Sequence, residues 1–166
     1  MIREMRRSGQ QLPLDDCIAI MKAGTSGVLA LMGDEPYPYA LPMSYVYDEG
    51  RIFFHSAKTG HKIDALRKKN EVSFCVIDQD EVIPETYTTH FRSAIAFGRI
   101  RFLQDHTERM LALQKLALKY APDDTEENRS HEIEKSWDSV CVLEMIVEHL
   151  TGKQAIELVR KKQENA

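Results

Sequence analysis

The sequence predicts a mainly β fold: an antiparallel sheet closed into a barrel, with a few helices outside it. Three observations lead there. Six segments rich in β-branched and aromatic residues follow one another with short polar or Gly-containing breaks. In "SVCVLEMIV" (139–147) Cys141, Leu143, Met145 and Val147 fall on one face, and Val140, Val142 and Ile146 on the other, so both faces ask for burial. Only three or four short helical patterns are available to cover the outer wall. Unless the two helices after residue 105 suffice, the remaining cover is a second copy of the chain.

In chain order, "PLDDCIAIMKAG" sets Leu14, Cys17, Ile18 and Met21 at i, i+3, i+4 and i+7, with Gly24 as the stop, and predicts a short amphipathic helix. Residues 27–57 read as three strands, divided by a Gly-Asp-Glu-Pro turn and by Asp48-Glu49-Gly50, a hairpin signal. "HKIDALRKKN" is a short helix ending at Asn70. "EVSFCVID" is a strand followed by a loop from about Gln79 to Pro84. "TYTTHFRSAIAFGRIRFLQD" is a strand in which Gly98 marks a bulge or bend. Asp105 and Glu108 form a D-x-x-E capping pair for a helix whose apolar stripe is Leu113, Leu116, Ala117 and Tyr120. "APDDTEENRSHEIEKS" reads as a loop with a solvated helical turn, "WDSVCVLEMIVEHLTGK" as a long strand, and the residues from about 152 as a charged tail. No repeat or linker interrupts 1–166, so a single domain is expected.

The composition, 43% hydrophobic and 29% charged, is that of an ordinary globular protein. The formal net charge of -4 argues against nucleic acid as the main partner, while leaving room for a local basic pocket. No apolar run is long enough to span a bilayer, and "MIREMRRSGQQ" has no apolar stretch behind its basic residues, so neither a membrane nor a secretion signal is expected. Cys17, Cys75 and Cys141 are widely separated within apolar stretches. That suits reduced, buried thiols in a cytoplasm better than a disulfide framework.

The densest chemistry lies in "FFHSAKTGHK" (53–62). A turn that only reverses the chain needs little beyond Gly, Asn or Asp. This one gathers His55, Ser56, Lys58, Thr59, His61 and Lys62. With a helix beginning near Gly60 or His61, free N–H groups and the positive end of the helix dipole face the loop, which favours an anion. Lys62 in the first turn opposes that dipole, and such local conflict is expected at functional sites. On these residues alone two accounts stay open: an anion site, or solvated lysines with Thr59 as a cap. No phosphate-binding G-x-x-x-x-G-K-[ST] or G-x-G-x-x-G is present. His55 and His61 lack neighbours at zinc spacing, and Ser93 has no visible base, so neither a metal site nor a serine hydrolase is expected. The carboxylates at 123–134 read as a solvated face.

The run "PYPYALPMSYVYDEGRIFFHSAKTGHKIDALRKKNEVSFCVI" resembles the flavin-binding split-barrel superfamily of pyridoxamine 5′-phosphate oxidase, and within it the branch related to 5-nitroimidazole-resistance (Nim) proteins. The resemblance is carried by Pro38-Tyr39, Pro42 with Tyr45 and Tyr47, His55-Ser56-Ala57, and Gly60 with Lys62. "RSAIAFGRIRFLQD" and "HLTGKQA" are similar to the branch's later strands and tail. The resemblance implies a six-stranded antiparallel split β-barrel, a homodimer, and flavin mononucleotide (FMN) at the subunit interface. It implies that Met43, Ser44 and Tyr45 line the isoalloxazine ring, and that His55, Ser56 and Ala57 follow the ring edge and ribityl chain. Lys58, His61 and Lys62 would then meet the phosphate. Ser93 and Trp137 would approach from elsewhere, including across the interface, with plain packing the other account of Trp137. The chain has no Arg-x-His near its C-terminus to grip pyridoxal phosphate, which argues against vitamin B6 oxidation.

Two functions are therefore expected in turn. The first is an FMN-dependent oxidoreductase that reduces a small acceptor such as a nitroaromatic or quinone-like compound, with His55 the side chain nearest the reacting ring. The second is a non-catalytic carrier or sensor of flavin, haem or another small ligand in the same cleft.

Overall fold

The backbone forms one antiparallel sheet whose first and last strands are joined by a single residue. The computed structural model describes residues 3–33 and 36–164. In chain order the elements are α1 (Leu14–Ala23), β1 (Ser26–Met32), β2 (Pro38–Ser44), β3 (Val46–Asp48), β4 (Arg51–Ala57), α2 (His61–Lys68), β5 (Glu71–Ile83), β6 (Thr88–Phe102), α3 (His106–Tyr120), α4 (Glu126–Ser136), β7 (Val140–Gln154) and α5 (Ile156–Glu164). The sheet order is β2-β1-β5-β6-β7-β4-β3. β2 and β3 thus lie at opposite edges although only Tyr45 separates them in sequence, and the chain itself closes the sheet into a barrel.

That closure accounts for seven strands among the described residues where six were expected. The strand read through residue 45 breaks there because β2 pairs with β1 (Met43↔Gly27) while β3 pairs with β4 (Val46↔Phe53). Tyr45 cannot serve both ladders, and its backbone groups find a side chain instead, the hydroxyl of Tyr120. β3 and β4 turn through Glu49 and Gly50, with φ of 43° and 79°, the backbone of a two-residue hairpin loop. Of the predicted turn at 33–36, Asp34 and Glu35 lie outside the described residues.

Other expectations are corrected in the same way. The polar stretch 79–83 belongs to β5, because it pairs residue for residue with 88–92 of β6, past an irregularity at Ile77/Gln79. Cross-strand pairing overrides its loop-like composition. α4 is a three-turn helix, capped by Thr125 and anchored by buried Ile133. The tail is strand to Gln154 and then α5, with Glu157 in its first turn and Lys161 and Lys162 in its last, as the helix dipole prefers. On α1 the buried residues are Cys17, Ile20 and Met21, whereas Leu14 is 59% exposed.

Both faces of β7 are covered over its first half, as its sequence asked, whereas Ile146 on the second face is 48% exposed. Leu143 and Met145 enter the barrel core with Tyr45, Phe54 and Phe74, and Val142 joins a second cluster with Phe53, Leu113, Leu116 and Ile133 under α3 and α4. Asp105 caps α3 by accepting from the Glu108 N–H at 3.0 Å. The bulge expected at Gly98 is real: the β6–β7 register shifts between Phe97 and Gly98. A Cβ at Gly98 would sit 2.0 Å from the Ile146 carbonyl oxygen, a backbone atom that cannot swing aside. Gly98→Ala should therefore lower stability by about 1–3 kcal/mol, like other overpacked sites. A urea midpoint equal to that of the unaltered protein would contradict this.

Candidate functional site

At the end of β4 the strand rises out of the core and its side chains change character. Ile52, Phe53 and Phe54 are buried, and the next residues, His55, Ser56 and Ala57, open onto a cleft of about 720 Å³. Ser44, the last residue of β2, joins them. α3 supplies the opposite wall through Leu113, Leu116, Ala117 and Tyr120, and α4 closes one side with Ile133 and Ser136. The cleft thus has an apolar wall and a polar floor, and its size falls in the range of small-molecule sites. Asp124, Arg129 and Glu132 stand at its edge, where Arg129 donates to the Asp124 carbonyl at 3.2 Å.

Tyr120 ties wall to floor. Its hydroxyl accepts from the Tyr45 N–H at 2.8 Å and donates to the Thr25 carbonyl, with the Tyr45 carbonyl at 3.0 Å as a second acceptor. Lys119, one residue earlier, donates to the Gly24 carbonyl and lies 4.1 Å from the centre of the Tyr45 ring. Tyr45 itself is fully buried, and its own hydroxyl donates to the Met21 carbonyl at 2.8 Å. Of the predicted ring-lining residues, only Ser44 therefore offers its side chain to the cleft. Met43 and Tyr45 face the core, so whatever they offer comes from the backbone.

α2 starts at His61 after Gly60, whose φ of 120° is a conformation that side-chain-bearing residues rarely adopt. The His61 ring stacks on Tyr39, 4.3 Å between centres. Lys62, in the first turn, points its ammonium at the Met43 sulfur, 3.5 Å away, a weak acceptor. Burial holds the Lys62 pKa below its ordinary value. His55 is pushed below its usual value first by partial burial and then by the Lys62 charge. Lys62 and His55 are thus electrostatic neighbours, as the loop sequence suggested. Lys58 diverges: its side chain lines a separate basic pocket with Arg67, Arg109 and Cys141.

Two more predicted residues lie apart from the cleft of this chain. Ser93 sits on β6, the central strand of the sheet, paired with Ile77 and Lys153, and it is not among the residues that line the cleft. Trp137 ends α4 and packs on the second core cluster, with the Arg109 guanidinium 4.1 Å from its ring centre and His106 at 4.6 Å. Missed from sequence were the whole α3–α4 wall and the role of Tyr120. Among the described residues no three His, Cys, Asp or Glu side chains gather as a metal ion would require, and no helix is long and apolar enough to cross a membrane.

The depressed His55 pKa has a consequence for stability. The unfolded chain takes up this proton first, near 6.5, so folding is favoured above that pH and is progressively lost as pH falls below it toward the folded-state value. His55→Gln should flatten the fall in stability of the flavin-free protein below pH 6.5 and leave stability at pH 7.5 almost unchanged. Denaturation curves across that range check this, and equal slopes would count against it.

Comparison with known proteins follows the same architecture. The family model described as pyridoxamine 5′-phosphate oxidase matches residues 13–154. No curated protein matches the chain. Among solved structures, a candidate 5-nitroimidazole antibiotic resistance protein of Bacteroides thetaiotaomicron superposes with a TM-score of 0.75 at 21% identity, over 87% of each chain. The FAD and heme binding protein of Mycobacterium smegmatis gives a TM-score of 0.72 at 17% identity, over 88% of this chain and 73% of that one. A FAD-binding protein of Mesorhizobium loti gives 0.62 at 20% identity, over 88% and 97%. At these identities the structures speak for the fold. From the sheet that closes through Tyr45 to the family model that spans nearly all of it, the chain belongs to the pyridoxamine 5′-phosphate oxidase family.

Proposed function

We propose that this protein binds FMN in the cleft between β4 and α3–α4 and is an oxidoreductase acting on a small acceptor. The observation that carries the reading is the convergence of Ser44, His55, Ser56 and Ala57 on one cleft, beside a lysine that has no carboxylate partner among the described residues. The residues suit the group. Leu113, Leu116 and Ile133 offer an apolar surface for a flat ring, the seryl hydroxyls and strand-end backbone offer hydrogen bonds to its polar edge, and Lys62 with the start of α2 offers charge to a phosphate. Two of the solved neighbours are named for FAD, which supports a flavin without choosing between FMN and FAD. The short phosphate loop favours the mononucleotide.

When bound, the flavin supplies the electron transfer. The chain's part is to seat and tune it. His55, neutral at neutral pH by the direction of its shift, can donate from one ring nitrogen and accept at the other, and so can hold or pass a proton at the ring edge. Tyr120, Leu113 and Leu116 keep water from the wall. A second copy of the chain is proposed to cover the apolar side chains left open at the end of the β5–β6 hairpin, where Val82 is 68% and Tyr87 97% exposed.

Size-exclusion chromatography with light scattering and visible absorbance tests this in one run. Protein loaded with excess FMN should carry a flavin band at twice the chain mass, and the released flavin should have the mass of FMN. A colourless peak after FMN loading would end the flavin reading, and a peak at the single-chain mass would end the dimer. Oxidation of NADH or NADPH with nitroaromatic and quinone acceptors then separates enzyme from carrier. A flavin-loaded protein inert toward every reductant is the carrier.

A further inference from the structure

We propose that Lys58, Arg67 and Arg109 form a second anion site, separate from the flavin cleft, that holds a phosphate group. The pocket they line has a volume of about 260 Å³ beside the end of β4 and the start of β7, with Cys141 and Phe102 among its other walls and no carboxylate among its lining residues. This is unusual within the chain, whose formal net charge is -4. The sheet's arginines elsewhere are each matched: Arg51 with Glu144, Arg92 with Asp16 and Asp78, Arg99 with Glu71 and Glu148, Arg101 with Glu108 and Glu144. Among the described residues none of the three pocket cations has a carboxylate within ion-pair distance, so their mutual repulsion goes uncompensated.

Arg109 is also held ready. Its Nη2 donates to the carbonyls of Trp137 at 3.0 Å and Val140 at 3.2 Å, and its plane rests on the Trp137 ring. Both bonds use one nitrogen, which leaves the Nη1 and Nε hydrogens free for a ligand. Arg67 lies over Phe102, 5.9 Å from the ring centre. Two guanidinium forks and an ammonium around one small cavity match the several oxygens and double charge of a phosphate. A single carboxylate would leave most of that charge unanswered. Burial raises the pKa of the Cys141 thiol on the pocket wall, and Arg109, Arg67 and Lys58 together pull against that rise, with Lys62 adding from the flavin side. The separateness of this site from the flavin's phosphate seat rests on the flavin reading above, whereas its cations do not.

Cys141 serves as a built-in reporter. Reduced full-length protein is alkylated with iodoacetamide, an uncharged reagent, and Cys141 labelling is followed by peptide mass while inorganic phosphate is titrated at ionic strength held constant with chloride. A bound dianion cancels the cations that favour the thiolate, so labelling should slow saturably with phosphate, with or without saturating FMN. Arg67→Gln should raise the phosphate midpoint about tenfold. Because Arg109 also braces two carbonyls, Lys58→Gln is the second variant, with the same expected direction. Competition by FAD but not by FMN would identify the phosphate as a further one on the cofactor, and competition by neither would assign it to a separate molecule. Both outcomes support the site. Phosphate acting no more strongly than chloride, an unchanged midpoint in Arg67→Gln, or full competition by FMN would overturn it. Phosphate protection in a protein that takes up no flavin would refute the flavin reading and leave this site standing.

Discussion

Phe74→Ala should lower the stability of the flavin-free protein by about 3–5 kcal/mol, the usual cost of removing a buried phenyl ring from a close-packed core. Phe74 is fully buried on β5, with its ring edge-on to Tyr45 at 4.7 Å and to Phe54 at 5.1 Å. It also occupies the room that Gly27 leaves open on β1, since a Cβ there would meet the tip of the ring at 2.4 Å. Two of its neighbours cannot collapse into the space. Gly27 has no side chain to offer, and Tyr45 is pinned by its hydroxyl to Met21 and by its backbone to Tyr120. For a chain of this length the loss should lower Tm by about 10 °C or more. Urea unfolding followed by far-UV circular dichroism measures it, and Phe74→Leu, which keeps most of the volume, should cost less than half as much. A loss under about 1 kcal/mol for Phe74→Ala would mean that the three rings are not the packed centre of the barrel. The effect should reach function, because Tyr45 is the residue at which β2 gives way to β3 and Ser44 reaches the cleft.

What the sequence could and could not reveal divides along the range of the interactions. His55, Ser56 and Ala57 were legible because the change from apolar to polar falls within one strand, and Gly60 punctuates it locally. Gly98 was legible for the same reason, and so was the Asp105 cap. The break at Tyr45 was not. Residues 38–48 alternate like one strand, and the partner that satisfies the interrupted ladder, Tyr120, lies 75 residues away. The α3–α4 wall was hidden by an ambiguity of pattern: Leu113 and Leu116 show the same stripe whether they bury themselves in a core or line a cleft, and here they do both. At 79–83, Asp, Gln and Glu suggested a loop, yet pairs such as Asp80↔Phe91 and Val82↔Thr89 hold an extended ladder that no local propensity encodes. Helix α5 is a different kind of miss. Its charges, acid first and base last, were present in the sequence but read as a tail. The resemblance to the split-barrel superfamily supplied Ser93 and Trp137, which local physics had not requested, and neither reaches the cleft of its own chain.

Lys62→Ala should raise the FMN dissociation constant about 100-fold, equivalent to roughly 3 kcal/mol, by deleting a charge-assisted contact to the phosphate. The chain's own residues give this lysine little reason to be where it is. It stands in the first turn of α2, against the helix dipole, with a thioether as its neighbour and a pKa held down by burial. A lowered folded-state pKa means that the unfolded chain holds this proton more tightly, so at neutral pH the charged lysine works against folding. Removing it should leave flavin-free stability unchanged or higher, the opposite of what a structural lysine would do. The two readouts together identify the role. At FMN fixed at 100 times the original dissociation constant, the unaltered protein should gain about 2.7 kcal/mol from ligand binding, whereas the variant should gain only about 0.4 kcal/mol. Lys62→Arg, which keeps the charge but moves it, should recover part of the difference. If the variant binds FMN as tightly as before, the phosphate is seated elsewhere. The neighbouring cations at Lys58, Arg67 and Arg109 would then be the first place to look.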